Sequence, residues 1–419
     1  MTEPPIVIEN RKTLSYLLCL AAELEHALMC EYLYAAFSLK QGAGPGVMPE
    51  QVEAVERWRA VILKVATEEM LHWALVNNIL TAVGSAPFVS RPHLPHQAKG
   101  YPAGVQLALV PFGETALRHF LYLERPEGME MEDAEGFTAE GPALPIMSED
   151  DIVPFAQEFS TVGHLYRSID AGLVNLAETL GEDGLFIGPH RAQATAQDFG
   201  WPDLVPVNDL ASATAAITRI VEQGEGARGE YTEAHYGRFL AVYEEYTAMC
   251  AADPDFEPAH PNLPGGVRPV EGMEPAVLIT DPTTAAVTDL FDSVYDLLLQ
   301  MLVRYFAFGE ESDEELRVLS RTAVDLMYRA IKPLGLLLAE LPVGPEHPGA
   351  TAGADFQLAY RVSFLLPHKR SAWVRFAERL DELATFADDI EAAPEVQARL
   401  RPAADGLRDA LVQLSPYLD

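Results

Sequence analysis

The amino-acid sequence predicts an all-α protein, in which a four-helix bundle is followed by a second helical unit that packs on it. Three observations predict this fold class. Long segments without proline or glycine carry apolar residues at helical spacing, no segment of any length alternates like a half-buried strand, and a proline-dense stretch divides the chain. The chain has 419 residues, and a single hydrophobic core usually stops growing at roughly 250–300 residues.

The first unit is predicted to contain four long helices. Their ends carry recognisable signals, such as the glycine-rich segment after Lys40 and the glycine stop at Gly84. The predicted helices cover 13–40, 49–83, 148–180 and, as an interrupted fourth helix, 210–222 and 232–249. A Pro- and Gly-rich connection over 85–145, with one short helix near 114–124, joins the second helix to the third. Four long helices with one long crossover favour ferritin-like connectivity over a simple up-and-down bundle.

The proline-dense stretch separates the two predicted units. Residues 1–251 are predicted to form the bundle, 252–282 the linker and 283–419 a C-terminal helical domain. Helical patterns in the last part cover 284–308, 312–341, 370–391 and a stretch that reaches Leu414. Their apolar residues predict that the C-terminal unit packs on the bundle and narrows access to it.

The charge of the chain excludes some classes of partner. Acidic side chains number 63 and basic ones 29, which gives a formal net charge of -34. Such a chain repels nucleic acid and anionic membranes, and neither is an expected partner. The alternative is that the acidity serves solubility alone.

Cysteine usage and the start of the sequence favour the cytoplasm. The three cysteines show no CxxC spacing, which suits free thiols in a reducing compartment. The first ten residues lack a basic region, and acidic residues interrupt the apolar run that begins at Leu14. We therefore expect neither a signal peptide nor a membrane span.

The sharpest local motif is a Glu-x-x-His pair, Glu69 and His72, on the second predicted helix. Residues three apart on a helix project from the same face and can bind the same ion. An exposed Glu–His pair on a solvated helix is the alternative. Apolar neighbours such as Val65 and Val76 favour a buried pair, and no lysine or arginine lies within one turn on that face. Because a buried, unpaired carboxylate is costly, a metal ion is the favoured partner.

The other predicted helices supply further candidate ligands. Glu25 lies in an apolar stripe of the first helix, with Glu31 as the alternative if the helix is rotated and a salt bridge as the alternative role. The third helix offers His164, for which a core histidine is the alternative, and Glu158. The fourth offers candidates on either side of its glycine-rich break. The predicted metal ligands are Glu25, Glu69, His72, His164, Glu222 and His235.

This donor set predicts a di-metal centre. A carboxylate from each of two helices, and a Glu-x-x-His motif from each of the other two, is the di-iron or di-manganese arrangement of such bundles. The second motif is absent as a contiguous unit, and Glu222 with His235 would replace it across the break. Oxygen and imidazole donors suit two non-haem iron ions, with manganese as the alternative.

Several stretches resemble a known family. They are residues 22–34, 68–72 with 77–78, and 221–226, and, beyond the linker, 351–353 and 365–368. They resemble the iminophenyl-pyruvate dimer synthase family, whose members carry a ferritin-like domain and act in bisindole alkaloid pathways. The resemblance implies a metal-dependent, O₂-linked reaction on compounds derived from aromatic amino acids. It also implies that Glu25, Glu69, His72, Glu222 and His235 are ligands, and that His164 stands where related ferritin-like proteins often have glutamate.

The donor set predicts an oxidative enzyme that uses O₂ or peroxide. The resemblance implies that its substrate is a small aromatic or amino-acid-derived compound. His164 is expected to bind metal or to move protons, and Tyr166 to line a pocket, although aromatic residues at helical spacing also occur as plain core packing. A monomer or small homo-oligomer is expected. The alternative function is a non-enzymatic or ferroxidase-type iron-binding protein, which would assemble as a cage. Ligand roles for Glu31, Glu158 and Glu225 stay open.

Overall fold

The computed structural model describes residues 6–97, 100, 105–137, 152–191, 193–226, 230–269, 277–307, 309–358 and 368–418. Over these residues the fold is helical. Strands among the described residues are limited to two short pairs: β1 (His96–Gln97) is antiparallel to β2 (Gln106–Leu107), and β3 (Gly265–Gly266) is parallel to β4 (Val277–Leu278). The predicted all-α class is confirmed.

Helices α1 (Arg11–Ser38) and α2 (Val52–Ala82) form a long hairpin at the centre of the bundle. The side chain of Asn10 caps α1 by accepting a hydrogen bond from the Thr13 backbone N–H at 2.9 Å. α1 is buried on most of its faces and is long and apolar enough to span a membrane by length and composition. However, 72% of its most apolar window is buried inside the protein. It is therefore packed as the core helix of a bundle.

Each of the other two long helices of the bundle consists of two separate helices. α3 (Glu114–Leu123) and α4 (Val162–Leu180) form one, and α7 (Leu210–Gly224) and α8 (His235–Ala252) form the other. α3 packs against α8, α4 packs against α7, and both pairs lie on the α1–α2 hairpin. Between α4 and α7 the chain forms two single-turn helices, α5 (Glu182–Leu185) and α6 (Ala196–Phe199).

The break in the fourth predicted helix is present, but the third helix starts later than predicted. Ser148, its predicted start, lies outside the described residues, and 152–161 contain no helix. Thr161 is the N-cap, because its hydroxyl accepts from the His164 backbone N–H at 3.2 Å. The acidic residues after Ser148 resembled a helix start, but a capping side chain at Thr161 decides where the helix begins.

The described part of the C-terminal unit contains five α-helices: α9 (Pro282–Phe306), α10 (Asp313–Leu326), α11 (Lys332–Leu338), α12 (Lys369–Asp389) and α13 (Pro394–Leu414). These agree with the helical patterns of the sequence. α10 and α11 are joined by one π-helical turn, Met327–Ile331. The side chains of Asp281 and Ser312 cap α9 and α10.

The C-terminal unit lies against the hairpin, with α11 on α1 and α9 on α2. Gly335 of α11 allows the closest approach, because a Cβ at this position would lie 2.4 Å from the ring of Phe37. One continuous apolar cluster contains residues of both predicted units. The division of the chain into a bundle (1–251), a linker (252–282) and a C-terminal domain (283–419) stays a prediction.

Candidate metal centre

Five buried side chains from four helices meet inside the bundle. Glu25 comes from α1, Glu69 and His72 from α2, Glu124 from the residue that follows α3, and His235 from the first position of α8. None is more than 5% exposed. We call these five residues the carboxylate–histidine cluster. Ligand atoms of Glu25, Glu69 and His72 lie within 4.8 Å of one another, and so do those of Glu69, Glu124 and His235.

The two divided helices of the bundle are both interrupted next to this cluster. Glu124 directly follows α3 and Gly163 lies in the first turn of α4, while Gly224 ends α7 and His235 begins α8. A small cavity of about 20 Å³ lies among these helix ends and is lined by Glu25, Glu69, His72, Glu124 and Tyr166, among others. Because the helices stop here, residues at their ends turn inward instead of following the i, i+3 spacing of a continuous helix.

Glu69 lies between the two histidines and presents one oxygen to each. His72 Nδ1 is 2.9 Å from Glu69 Oε2 and 3.6 Å from Glu25 Oε2. His235 Nδ1 is 2.9 Å from Glu69 Oε1 and 3.5 Å from Glu124 Oε2. The cluster therefore has two halves, each with one imidazole and one further carboxylate, and the halves share Glu69.

The outward-facing nitrogens of both histidines are held by acceptors. His72 Nε2 lies 3.0 Å from Gln223 Oε1, and His235 Nε2 lies 3.0 Å from Glu68 Oε2. Protons on the two Nε2 atoms donate to these acceptors, which leaves both Nδ1 atoms turned toward the carboxylates. This second contact is the one that metal-binding histidines usually make, since it sets the tautomer and the ring orientation.

Two tyrosines hold the outer carboxylates. The Tyr166 hydroxyl donates to Glu25 Oε1, and the Tyr32 hydroxyl donates to Glu124 Oε1. Each of these carboxylates keeps its second oxygen, Oε2, on the side of the histidine of its own half. The tyrosines therefore fix the direction in which the carboxylates point.

The buried carboxylates of the cluster need positive charge close to them. Burial, followed by the charge of Glu69, raises the pKa of Glu25 to about 8. Burial would lower the pKa of His72, but Glu69 and Glu25 outweigh it and raise that pKa to about 10. Burial opposes ionisation of Glu69 as well, yet His235 and His72 bring its pKa well below the ordinary value. In the described part of the chain no lysine or arginine lies within 4 Å of the cluster's carboxylates, so protons on the imidazoles supply the charge that a metal ion would supply.

The donor atoms of the cluster fit a metal ion, because two of them are buried and lack a hydrogen-bond partner in the described part of the chain. Glu69 Oε1 and His235 Nδ1 are buried and 2.9 Å apart, but they are not aligned as a hydrogen bond, and neither has another hydrogen-bond partner among the described residues. Buried polar atoms without partners are rare and call for an explanation. An ion bound between these atoms and Glu124 would satisfy both of them.

The structure brings together four of the six predicted ligands, namely Glu25, Glu69, His72 and His235. Glu222 is placed differently from the prediction: it is exposed, because the buried face of α7 is formed by Ala216, Ile217 and Ile220. His164 is half-buried in the first turn of α4 and belongs to neither group of ligand atoms. There the glycine before it, not the histidine, lines the small cavity.

The open candidates have other contacts. Glu225 is buried and accepts from the Gly163 backbone N–H at 2.8 Å and from Arg167 at 3.0 Å. Glu31 Oε2 lies 3.7 Å from His119 Nε2. Glu158 is half-buried in the segment before α4. None of the three belongs to the two groups of ligand atoms, whereas Tyr166 contacts Glu25 directly.

Glu124 is the residue that sequence reasoning missed. It lies in the predicted connection between the second and third helices, at the end of the short helix predicted near 114–124. The available signal was a carboxylate directly after the apolar residues Leu121-Tyr122-Leu123. Only the packing of α3 beside α1 and α8 shows that this helix is half of a bundle helix.

A helical bundle with carboxylates and histidines at its centre is the architecture of ferritin-like proteins. Residues 18–244 match the family model of the ferritin-like proteins, and the chain belongs to that family. A ferritin-like protein from Caulobacter vibrioides has a similar fold, with a TM-score of 0.50 at 17% identity, over 83% of this chain and 99% of that one.

The curated relatives are a synthase and a dimerase, and both are much longer than this chain. Dichlorochromopyrrolate synthase from Lentzea aerocolonigenes is 29% identical, over 90% of this chain and 39% of that protein. The 2-imino-3-(indol-3-yl)propanoate dimerase of Chromobacterium violaceum is 28% identical, over 83% of this chain and 34% of that protein. These relatives confirm the resemblance inferred from the motifs. This chain spans about two-fifths or less of their length.

Proposed function

We propose that this protein is a metal-dependent enzyme of specialised metabolism, with two metal ions in the carboxylate–histidine cluster. The observation that carries the proposal is the position of Glu69, whose two oxygens each face the Nδ1 atom of a different histidine. Glu25 and His72 would hold one ion, Glu124 and His235 the other, and Glu69 would be shared. Oxygen and nitrogen donors suit iron, with manganese as the alternative.

The chemistry proposed is an oxidation of a small aromatic or amino-acid-derived compound. Bound iron would supply the ability to react with O₂. The substrate class is supported by the names of the curated relatives. One is a synthase of dichlorochromopyrrolate, and the other is a dimerase of an imino acid that bears an indole ring. For this chain, the imine as substrate, O₂ as the oxidant and the cytoplasmic location are parts of the proposal.

The protein's own residues would orient the centre and handle protons. Gln223 and Glu68 keep the tautomers of His72 and His235 that direct Nδ1 inward. Tyr166 donates to Glu25 Oε1 and lines the small cavity, so its hydroxyl is placed to pass a proton between that oxygen and a molecule in the cavity. A cavity of about 20 Å³ admits a molecule of the size of water or O₂, since one water needs about 10–15 Å³.

The first experiment is metal analysis after anaerobic reconstitution with Fe(II). We expect about two iron ions per chain, a strongly reduced content in Glu69→Ala, and no change in Glu56→Ala. Glu56 is the matched control because it is an exposed glutamate on the same helix. A reconstituted protein that retains no stoichiometric metal would contradict the proposal and leave a helical interaction module.

The second experiment measures O₂ consumption by the Fe(II)-loaded protein, with and without aromatic 2-imino or 2-amino acids. Substrate-dependent consumption that is lost in Glu69→Ala supports an oxidative enzyme. Rapid consumption that is indifferent to every organic compound and ends in ferric oxide supports iron handling instead. Size separates the two as well, since a monomer or small homo-oligomer suits the enzyme and a shell of many subunits suits storage.

A further inference from the structure

A second cavity, which we call the apolar cavity, lies between the α1–α2 hairpin and the C-terminal unit. Its volume is about 120 Å³. It shares no lining residue with the small cavity at the cluster. His26 and Trp73 line it, and although they follow Glu25 and His72 in sequence, they project from other faces of α1 and α2.

Two irregular pieces of backbone meet at the apolar cavity. The π-helical turn contributes Met327, Tyr328 and Ile331 to the lining, and Lys332 follows directly. Phe356, which also lines it, has a φ of 51° and is the non-glycine residue with positive φ in the described part of the chain. π-turns often occur at functional sites, and a strained backbone persists only where the surroundings hold it.

The wall of the apolar cavity offers aromatic faces and few free polar atoms. His26 Nδ1 is 2.9 Å from the Val89 carbonyl oxygen and donates to it, because a carbonyl oxygen can only accept. Nε2 therefore accepts from the Tyr295 hydroxyl. Trp73 Nε1 donates to the Phe88 carbonyl at 3.1 Å. The aromatic side chains of the lining include Trp73, Phe199, Trp201, Tyr295 and Phe356. Such a surface suits a flat aromatic ring.

Lys332 supplies a cation at this otherwise apolar site. It is half-buried and, within the residues that the structure describes, has no ion-pair partner. Its neighbour in the lining, Tyr328, is 55% exposed, so this side of the cavity reaches solvent. In a chain with a net charge of -34, an unpaired lysine beside an apolar cavity favours an anionic group on the ligand.

The volume limits the ligand. An apolar protein cavity of about 150 Å³ holds one benzene molecule, and this cavity is of similar size and partly open. We propose that the apolar cavity binds a compound with one aromatic ring and a carboxylate, with the ring among the aromatic side chains and the carboxylate at Lys332. This site is separate from the carboxylate–histidine cluster and does not depend on bound metal.

The test is isothermal titration calorimetry of the metal-free, full-length protein with two ligands. They are phenylacetate and phenylacetamide, and the amide has the same shape as phenylacetate but no charge. We expect phenylacetate to bind with a Kd below about 1 mM and the amide to bind roughly fivefold or more weakly. Lys332→Met should weaken phenylacetate to the level of the amide and leave the amide unchanged. Lys64→Met is the matched control, because Lys64 is exposed on α2 and does not line the cavity.

Two further variants test the position of the site. Leu63→Trp and Met327→Trp each enlarge a half-buried lining residue and should weaken both ligands by roughly tenfold or more. Their Fe(II) content should equal that of the parent, which separates this inference from the proposed metal centre. Absence of binding up to about 10 mM, binding that both tryptophan variants leave intact, or binding that is lost in Glu69→Ala would overturn the proposal.

Discussion

Glu124 and Glu222 have opposite surroundings although both lie close to a helix break. Glu124 is buried, with Oε2 3.5 Å from His235 Nδ1 and Oε1 bound by the Tyr32 hydroxyl. Glu222 is exposed on α7. The inward position of a carboxylate depends here on which face of its helix is covered.

Substituting these two glutamates tests the assignment. We expect Glu124→Gln to weaken Fe(II) or Mn(II) binding by at least tenfold, about 1.4 kcal/mol, because one charged donor is lost. Glu222→Gln should leave the affinity unchanged. Competition with a metal-sensitive dye measures both. Equal losses in the two variants would show that general charge, and not ligation, determines the affinity.

His119 forms a second buried group that is distinct from the cluster. Its Nδ1 lies 2.8 Å from Asp133 Oδ1, and its Nε2 lies 3.7 Å from Glu31 Oε2. Burial would lower the pKa of His119, but Asp133 and Glu31 outweigh it and raise that pKa from 6.5 to about 9. The charged imidazole thus joins α3, which carries Glu124 at its end, to α1 and to the segment that holds Asp133.

This raised pKa predicts a pH dependence of stability. A histidine with a raised pKa in the folded state stabilises fully below its unfolded pKa, about 6.5, and the stabilisation disappears as the pH rises through about 9. Urea unfolding between these pH values should show a loss on the order of 2–3 kcal/mol from this group. His119→Gln should lack that component. An identical pH profile for parent and variant would contradict it.

At the scale of elements, the start of α4 packs tightly against the segment that follows α7. A Cβ on Gly163 would lie 2.2 Å from Glu225 Oε1, the atom that accepts the Gly163 backbone N–H. The glycine lets the backbone approach this carboxylate. The contact holds α4 and the end of α7 in place beside the cluster.

A pair of glycine substitutions tests this contact. We expect Gly163→Ala to lower the free energy of unfolding by about 1–3 kcal/mol, because the buried carboxylate must move. Gly184→Ala in α5 is the control, since its Cβ would lie 3.5 Å from Leu180 Cβ, an ordinary contact. The control should be neutral or stabilising by up to about 1 kcal/mol. Chemical denaturation measures both, and a neutral Gly163→Ala would show that Glu225 adjusts freely.

For the whole molecule, the C-terminal unit covers the apolar side of the α1–α2 hairpin. The apolar cluster is continuous between the units, and Gly335 brings α11 against Phe37. The apolar cavity lies along the same boundary. Loss of this unit would expose a large apolar surface of the hairpin to water.

Truncation after Pro269 tests this role. We expect residues 1–269 to aggregate under conditions in which the full-length chain stays dispersed, since exposed apolar patches promote association. Light scattering at equal protein concentration measures the difference. A monodisperse truncated protein that still binds two metal ions per chain would show that the bundle is complete without the C-terminal unit.

Local sequence determined the helices and part of the metal centre. Apolar spacing and breaker residues specify α1, α2 and α9 to α13, because both signals act within a few residues of the helix that they define. The pair Glu69 and His72 was predicted for the same reason, since three residues on a helix set their common direction. Glu25 followed from its place in an apolar stripe, and His235 from its place after the glycine-rich break.

Tertiary structure decided the rest. Whether Glu124 faces inward depends on α3 stacking beside α8, a contact between segments more than a hundred positions apart. Whether Glu222 faces inward depends on which face of α7 is covered by α2 and α4. The apolar cavity likewise requires α1, α2, the π-helical turn and Phe356 to meet. Periodicity shows that a helix has an apolar face, but only the packing partner determines what that face contacts, because burial depends on distant parts of the chain.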